Sequence, residues 1–232
     1  MSAAQKPPGG LHLVVLNDIG RAIVNGSLET GSVLNVDELC ERFGVSRTVI
    51  REALRTLESI GLVVARSTVG TKVQPSSEWN LLNARVIAWR GLSDYRAQMV
   101  EILEVRRGIE GSAARLSAER ADAATRATLV ALATRLESAF LAEDGDSFLT
   151  VDAEFHRLLL ESTRNGIMAQ FAHTVSAALA TRHDTDRPMI VETTPEGVRL
   201  HVALAQAIST GDAEAAEAAA IAIADLTRSE FG

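Results

Sequence analysis

The sequence predicts a mainly α protein in two parts: a winged helix-turn-helix unit at the N-terminus, then an all-α bundle of about seven helices. Two observations carry this. Apolar residues recur at helical spacing from about residue 11 to 60, after which "LVVARSTVGTKVQP" alternates and is rich in valine. From about residue 80 to 230 the chain is rich in Ala, Leu, Glu and Arg and has almost no β-branched runs.

The first helix is expected over "LHLVVLNDIGRAIVNG", stopping at Gly26. "LETGSVL" reads as a turn. "NVDELCERFG" is a short second helix with Val36, Leu39, Cys40 and Phe43 on its inner face. The tight "GVS" places Ser46 to cap a third helix, whose apolar stripe is Ile50, Ala53, Leu54 and Leu57 and which ends at Gly61. Two short strands then surround a turn near Thr68 to Gly70, and Pro75 closes the unit. Beyond it, breaks fall at "ERADAAT", "AEDGDS", "STRNG", the 183–197 stretch with Pro188 and Pro195, and "STGDAE", with Asp122, Asp146 and Asp212 placed as N-caps. The domain limits that follow are a disordered arm at 1–10, the winged unit at 11–75, a linker and first helix at 76–93, and the helical domain at 94–232.

Composition narrows the chemistry. No apolar run approaches the roughly 18 residues of a membrane span, and "MSAAQKPPGG" has no signal-peptide pattern. The expected setting is cytoplasmic, away from membranes. A single cysteine, Cys40, excludes an internal disulfide and a cysteine-built metal site. The eight Lys and Arg of residues 1–78 are matched by eight Asp and Glu, so the net charge of -7 belongs wholly to the C-terminal part. That acidity argues against a polyanion partner there. A neutral N-terminal part can still bind one where its positive charges cluster.

They cluster on the third helix. "GVSRTVIREALRTLESIGLV" puts Arg47, Arg51 and Arg55 four apart on one face, where like charges repel unless a partner offsets them. A helix of this length fits the DNA major groove, with its N-terminal residues at base edges. Arg47 and Arg51 can each take guanine O6 and N7, Thr48 can meet a thymine methyl or hydrogen-bond a base, and Arg55 is placed for phosphate. Arg66, Gly70 and Lys72 on the wing can approach the minor groove or backbone. The bland alternative is a solvated arginine face in an unrelated small domain.

"GSVLNVDELCERFGVSRTVIREALRTLESIGLVVARSTVGTKV" resembles the N-terminal domain of GntR-family transcriptional regulators over roughly residues 11–75. The resemblance implies a DNA-binding role for Arg47, Thr48, Arg51 and Gly70, and for Arg55, Arg66 and Lys72. The family commonly has a phosphate-touching arginine where this chain has Asp37, which implies rearranged operator contacts. A homodimer on a palindromic operator of double-stranded DNA is expected, because one reading head offers too few contacts.

In the second region "VDAEFHRLLLESTRNG" sets Asp152 and His156 at i, i+4, and His201 in "VRLHVALAQAI" lies on a later helix that a bundle could fold back. One carboxylate and two imidazoles suit a divalent first-row metal. The alternatives are a surface ion pair or a hydrogen-bonded core histidine. "EILEVRRGIEGSAARLSAERA", "DAEFHRLLLESTRNG" and "HVALAQAISTGDAEAAEAAA" are similar in order and spacing to the FadR-type effector domain, FCD, over about 94–230. Many members hold a metal with an Asp and three His. Asp152, His156 and His201 match three positions, while Ile223 stands at the fourth, opening coordination sites that a ligand carboxylate or hydroxyl could complete. The metal implied is Zn or Ni.

Arg106, in "EVRRGIE", matches the family arginine suited to clamp an effector carboxylate through paired hydrogen bonds. Its alternative is an ion pair with Glu110 on the helix surface. Arg228 is a second effector candidate, and Asn165 reads as a helix cap. His12, His173 and His183 have no partner pattern. "SEWNLLNARVIAW" running into "EVRRGIE" resembles the galactonate-operon repressors within the family, which implies a sugar-acid effector. The function expected is a DNA-binding regulator, a repressor, controlled by a small carboxylate and without catalysis. Its rivals are a metal-dependent hydrolase, in which Asp and two His activate water, and an effector-independent DNA-binding protein.

Overall fold

A computed structural model describes residues 10–66, 70–181 and 194–231. Residues 1–9 of the arm expected at 1–10, the wing turn at Thr68, Pro188 and His183 lie outside them, while Gly10 is helical rather than part of an arm. The chain divides after Ser93 into two compact units.

The first unit opens with α1 (Gly10–Val24), which buries Leu16 and Ile19 against α3 (Arg47–Ser59). Each such side chain removed from water contributes about 1.5–3 kcal/mol. Between them α2 (Val36–Phe43) starts at Asn35, whose side chain accepts from Asp37 N, and ends at Gly44 in the left-handed conformation. Of its inner-face residues Leu39 is buried, and Val36, Cys40 and Phe43 pack partly buried beside it. Gly61 follows α3 at φ +82°, and a Cβ there would collide with the Glu78 carbonyl, so this turn tolerates only glycine.

The sheet has three strands rather than the expected two. β1 (Val33–Leu34) pairs antiparallel with β3 (Gly70–Val73), which pairs with β2 (Val63–Arg66) on its other side. Two residues are too few to show a period in the sequence. Backbone bonds from Gly31 N to Val73 O and from Val73 N to Ser32 O extend the pairing into the turn. Residues 76–93 fold with this unit. A 3-10 turn at Ser76–Glu78 leads to α4 (Ala84–Ser93). Trp79 Nε1 donates to Gln74 O, and Trp89 Nε1 donates to Asn17 Oδ1 on α1. The Trp89 ring lies so close to Gly20 that a Cβ there would meet it at 2.5 Å.

The second unit holds α5 (Tyr95–Arg120), α6 (Ala123–Leu141), α7 (Gly145–Glu161), α8 (Gly166–Ala180), α9 (Pro195–Thr210) and α10 (Ala213–Ser229). Seven helices are thus described beyond residue 80, as expected. The long α5 packs against α10, α7 and α9, and α6 packs against α7 and α9. Leu129, Leu136, Phe155, Leu159, Leu204 and Ile208 make the centre of the core. Asp122 and Asp212 cap α6 and α10, and Asn165 caps α8. The cap of α7 is Asp144 rather than Asp146: Glu143 takes a positive φ of 54°, and the helix begins two residues earlier. Pro195 stands at the first position of α9, where its missing N–H costs nothing.

Candidate functional sites

Arg47, Thr48, Arg51 and Arg55 are all exposed on α3. Ser46 has the extended backbone of an N-cap, yet its side chain makes no capping bond. The first amides of this exposed helix end therefore lack the side-chain acceptor that the sequence suggested. Arg47 Nη2 lies 2.7 Å from Asp37 Oδ1 across the turn between α2 and α3. Arg51, Arg55 and Glu58 line one wall of a cleft whose other wall is Ala65 and Thr71 of the wing. Glu58 Oε1 accepts from Ala65 N at 2.8 Å, which ties β2 to α3 and fixes the wing relative to the arginines. Arg66 and Gly70 are partners in the pair of the hairpin nearest its turn, and Lys72 is exposed on β3. Gly70 has φ +98°, a backbone conformation that favours glycine, and a Cβ there would come 3.3 Å from the Val33 side chain.

In the second unit the bundle brings Asp152 and His156 of α7 together with His201 of α9, all buried. His201 Nε2 is 3.2 Å from Asp152 Oδ1 and 3.2 Å from His156 Nε2, and His156 Nε2 is 3.5 Å from Asp152 Oδ1. His201 Nδ1 lies 2.8 Å from Gly197 O. A carbonyl only accepts, so Nδ1 carries the proton and the Nε2 lone pair faces the other two groups. Three donors bound to one ion at about 2.1 Å stand roughly 3.0 Å apart for octahedral and 3.4 Å apart for tetrahedral geometry. The triangle therefore fits a first-row metal ion. Phe155 sets its ring edge-on to both imidazoles, 5.8 Å from His156 and 5.2 Å from His201, and supplies an apolar wall.

Arg106 and Glu110 of α5 complete the cluster. The Arg106 guanidinium grips Glu110 in a two-pronged pair, Nε to Oε1 at 2.9 Å and Nη2 to Oε2 at 3.1 Å. Glu110 Oε2 also stands 3.0 Å from His156 Nδ1, a short contact although a bent one. Arg106 and Glu110 are only 3% and 1% exposed, so the i, i+4 pair that the sequence suggested as a surface feature is an interior one. Burial alone would raise the Glu110 carboxyl, but Arg106 and His156 override it and hold it at about 2. Burial likewise opposes charge on Asp152, and the two imidazoles hold it well below the carboxylate range. For His156 burial lowers the imidazole and Arg106 adds to that, yet Glu110 and Asp152 prevail and raise it.

Arg228 is not part of this cluster. It lies exposed on α10, 3.1 Å from Glu104 of α5. Ile223 is buried on α10 in the surrounding apolar core. Two features had no sequence signal as site components: the Gly197 carbonyl, one turn before His201, and the Asp37–Arg47 pair, which spans the turn between two helices. Glu110 was visible as a partner of Arg106 but not of His156, because nothing in the spacing of α5 tells which side chains α7 presents to it.

Among the described residues no helix is long and apolar enough to cross a membrane. Residues 12–73 match the family of bacterial regulatory proteins called gntR, and residues 101–225 match the FCD domain. The galactonate operon transcriptional repressor of Escherichia coli is 32% identical over 214 residues, covering 90% of this chain and 92% of that protein. A putative L-lactate dehydrogenase operon regulatory protein of the same species is 29% identical, covering 87% and 79%. The solved structure of Lar, which controls the agr system of Listeria monocytogenes, shares the fold at TM-score 0.66 and 18% identity, covering 97% of this chain and 98% of that one. With a winged reading head matched over one unit and an effector domain over the other, the chain belongs to the GntR family of bacterial regulatory proteins, in its FCD-containing branch, and is a DNA-binding transcriptional regulator and not an enzyme.

Proposed function

We propose that this regulator is a homodimeric repressor of a palindromic operator, controlled by a small 2-hydroxy carboxylate such as a sugar acid, which binds a divalent metal, Zn or Ni, held by Asp152, His156 and His201. The observation that carries the proposal is the unbalanced charge of the buried cluster. Arg106, Glu110 and Asp152 sum to one buried negative charge, which without a metal is offset only by a proton drawn onto His156, the direction in which Glu110 and Asp152 push it. A divalent ion turns that sum to one positive charge, and a single carboxylate brings it to zero. Ile223 offers no ligand atom, so positions on the ion stay open to the effector. The Arg106 donors not taken by Glu110 are a second anchor for its carboxylate. The two relatives are named for a galactonate operon and an L-lactate dehydrogenase operon. Galactonate and lactate share a carboxylate with an adjacent hydroxyl, a pair of oxygens able to chelate one ion. In the reading head, Arg47, Thr48 and Arg51 read bases, while Arg55, Arg66 and Lys72 meet the backbone and Gly70 lets the wing approach it.

Native mass spectrometry of the purified protein tests this directly. The expected species is a dimer with one divalent ion per chain that survives mild desalting and is lost on Asp152→Ala. A metal-free dimer that takes up neither Zn nor Ni would remove the metal from the mechanism.

A further inference from the structure

Glu110 contacts neither the three candidate ligand atoms nor solvent, yet it touches both of the groups on which the proposed effector site depends. Oε1 and Oε2 receive the Arg106 guanidinium, and Oε2 also meets the far nitrogen of His156. We infer that Glu110 is the positioning residue of the metal centre: its carboxylate keeps the His156 proton on Nδ1, so that the Nε2 lone pair faces Asp152 and His201. The inference rests on the metal reading above.

A neutral imidazole carries one proton, and in isolation either nitrogen can hold it. A carboxylate 3.0 Å from Nδ1 makes a lone pair there repulsive and a proton there attractive, and it stands closer than the Asp152 carboxylate, which faces Nε2 at 3.5 Å. His201 is fixed the same way by the Gly197 carbonyl, which a substitution cannot remove, so Glu110 is the replaceable half of the pair of supports. Arg106 has its own part. Its guanidinium takes both carboxylate oxygens, Nε to Oε1 at 2.9 Å and Nη2 to Oε2 at 3.1 Å, and so fixes the plane of the carboxylate that faces Nδ1. The order Arg106–Glu110–His156 is therefore a chain of supports in which each group positions the next. Carboxylates behind metal-binding histidines change metal affinity by about 10–100-fold when removed.

The test compares wild type with Glu110→Gln, Glu110→Ala and the double variant Arg106→Met/Glu110→Gln, each checked for folding by circular dichroism. Two quantities are measured: Zn affinity by competition with a chromophoric chelator, and the His156 ring nitrogens by long-range proton–nitrogen NMR in metal-free protein, at a pH high enough that the ring carries a single proton. The expected result is a wild-type Nδ1–H signature that is lost or mixed in Glu110→Ala. Zn affinity should fall about 10–100-fold in Glu110→Ala, with a smaller loss in Glu110→Gln, whose amide oxygen can still accept from Nδ1. The double variant should stay at the Glu110→Gln level, because the carboxylate behind His156 is missing whether or not Arg106 keeps its charge. Restoration of wild-type affinity in the double variant would instead trace the effect to an orphaned Arg106 cation and overturn the inference. So would Zn affinities within about twofold of wild type in all three variants. If wild type binds no Zn, the metal reading fails, and the tautomer signature alone decides the role of Glu110: an unchanged His156 spectrum in Glu110→Ala rejects it.

Discussion

Arginines in the two units stand in opposite surroundings. Arg47, Arg51 and Arg55 sit on an exposed helix face, and of these Arg47 has an acidic neighbour at ion-pair distance, Asp37. Arg106 is 3% exposed and locked to Glu110. Water solvates the first set at no cost to folding and leaves them to an external polyanion, whose released counterions drive binding. The interior of the bundle offers Arg106 no solvent, so its charge has to be matched within the fold. One unit thus presents charge to solvent, where DNA can meet it, and the other confines charge within the fold.

Substitutions of like kind should therefore have unlike consequences in the two units. Arg106→Ala leaves Glu110 buried and unpaired, and should destabilise the protein by about 3–5 kcal/mol in urea unfolding. A loss below about 1 kcal/mol would mean that water reaches the pair and that the contrast is false. Arg51→Ala should leave stability within about 0.5 kcal/mol yet weaken specific operator binding by about 1–3 kcal/mol, relaxing base preference at one position of each half-site. A gel-shift series across operator variants reads both, and unchanged specificity would remove α3 as the reader.

Asp37 sharpens the comparison within the reading head itself. Its carboxylate both repels phosphate and holds the Arg47 guanidinium. Asp37→Ala should raise affinity for non-specific DNA several-fold while lowering the ratio of specific to non-specific binding. A parallel rise on all sequences would mean that the pair has no part in base choice. Lys72→Ala should give the smallest effect, lowering affinity evenly across sequences and reducing the slope of log affinity against log salt by about one. A slope unchanged from wild type would place Lys72 away from the backbone.

How much of this the sequence carried follows from the range of each interaction. The third helix, its apolar stripe and the Asp152–His156 spacing are local patterns, and local patterns were legible. His201 was visible as a candidate on a later helix, and the family resemblance strengthened its place beside the pair, since spacing cannot say which helix returns to α7. The short strand β1 was missed because its pairing partner lies nearly forty residues away. Asp144 displaced Asp146 as a cap beside a positive φ at Glu143, which no periodicity announces. Most consequential was Glu110. Its spacing from Arg106 showed the pair, while its burial and its contact with His156 depend on how α5 meets α7, a matter of packing across the bundle.

The central claim is that a metal-bound carboxylate in the helical unit controls DNA binding by the other unit. A ligand can shift operator affinity only by its preference for one arrangement over another, typically about 1–3 kcal/mol. The most direct measurement is fluorescence anisotropy of labelled operator held by the Zn-loaded protein, titrated with galactonate and related 2-hydroxy acids, for wild type and His156→Ala. The account predicts an affinity change of about 5–150-fold in wild type. In His156→Ala the response should vanish, with operator affinity in the absence of effector staying within about threefold of wild type. A variant that responds at the wild-type effector concentration would place the controlling site elsewhere and contradict the account.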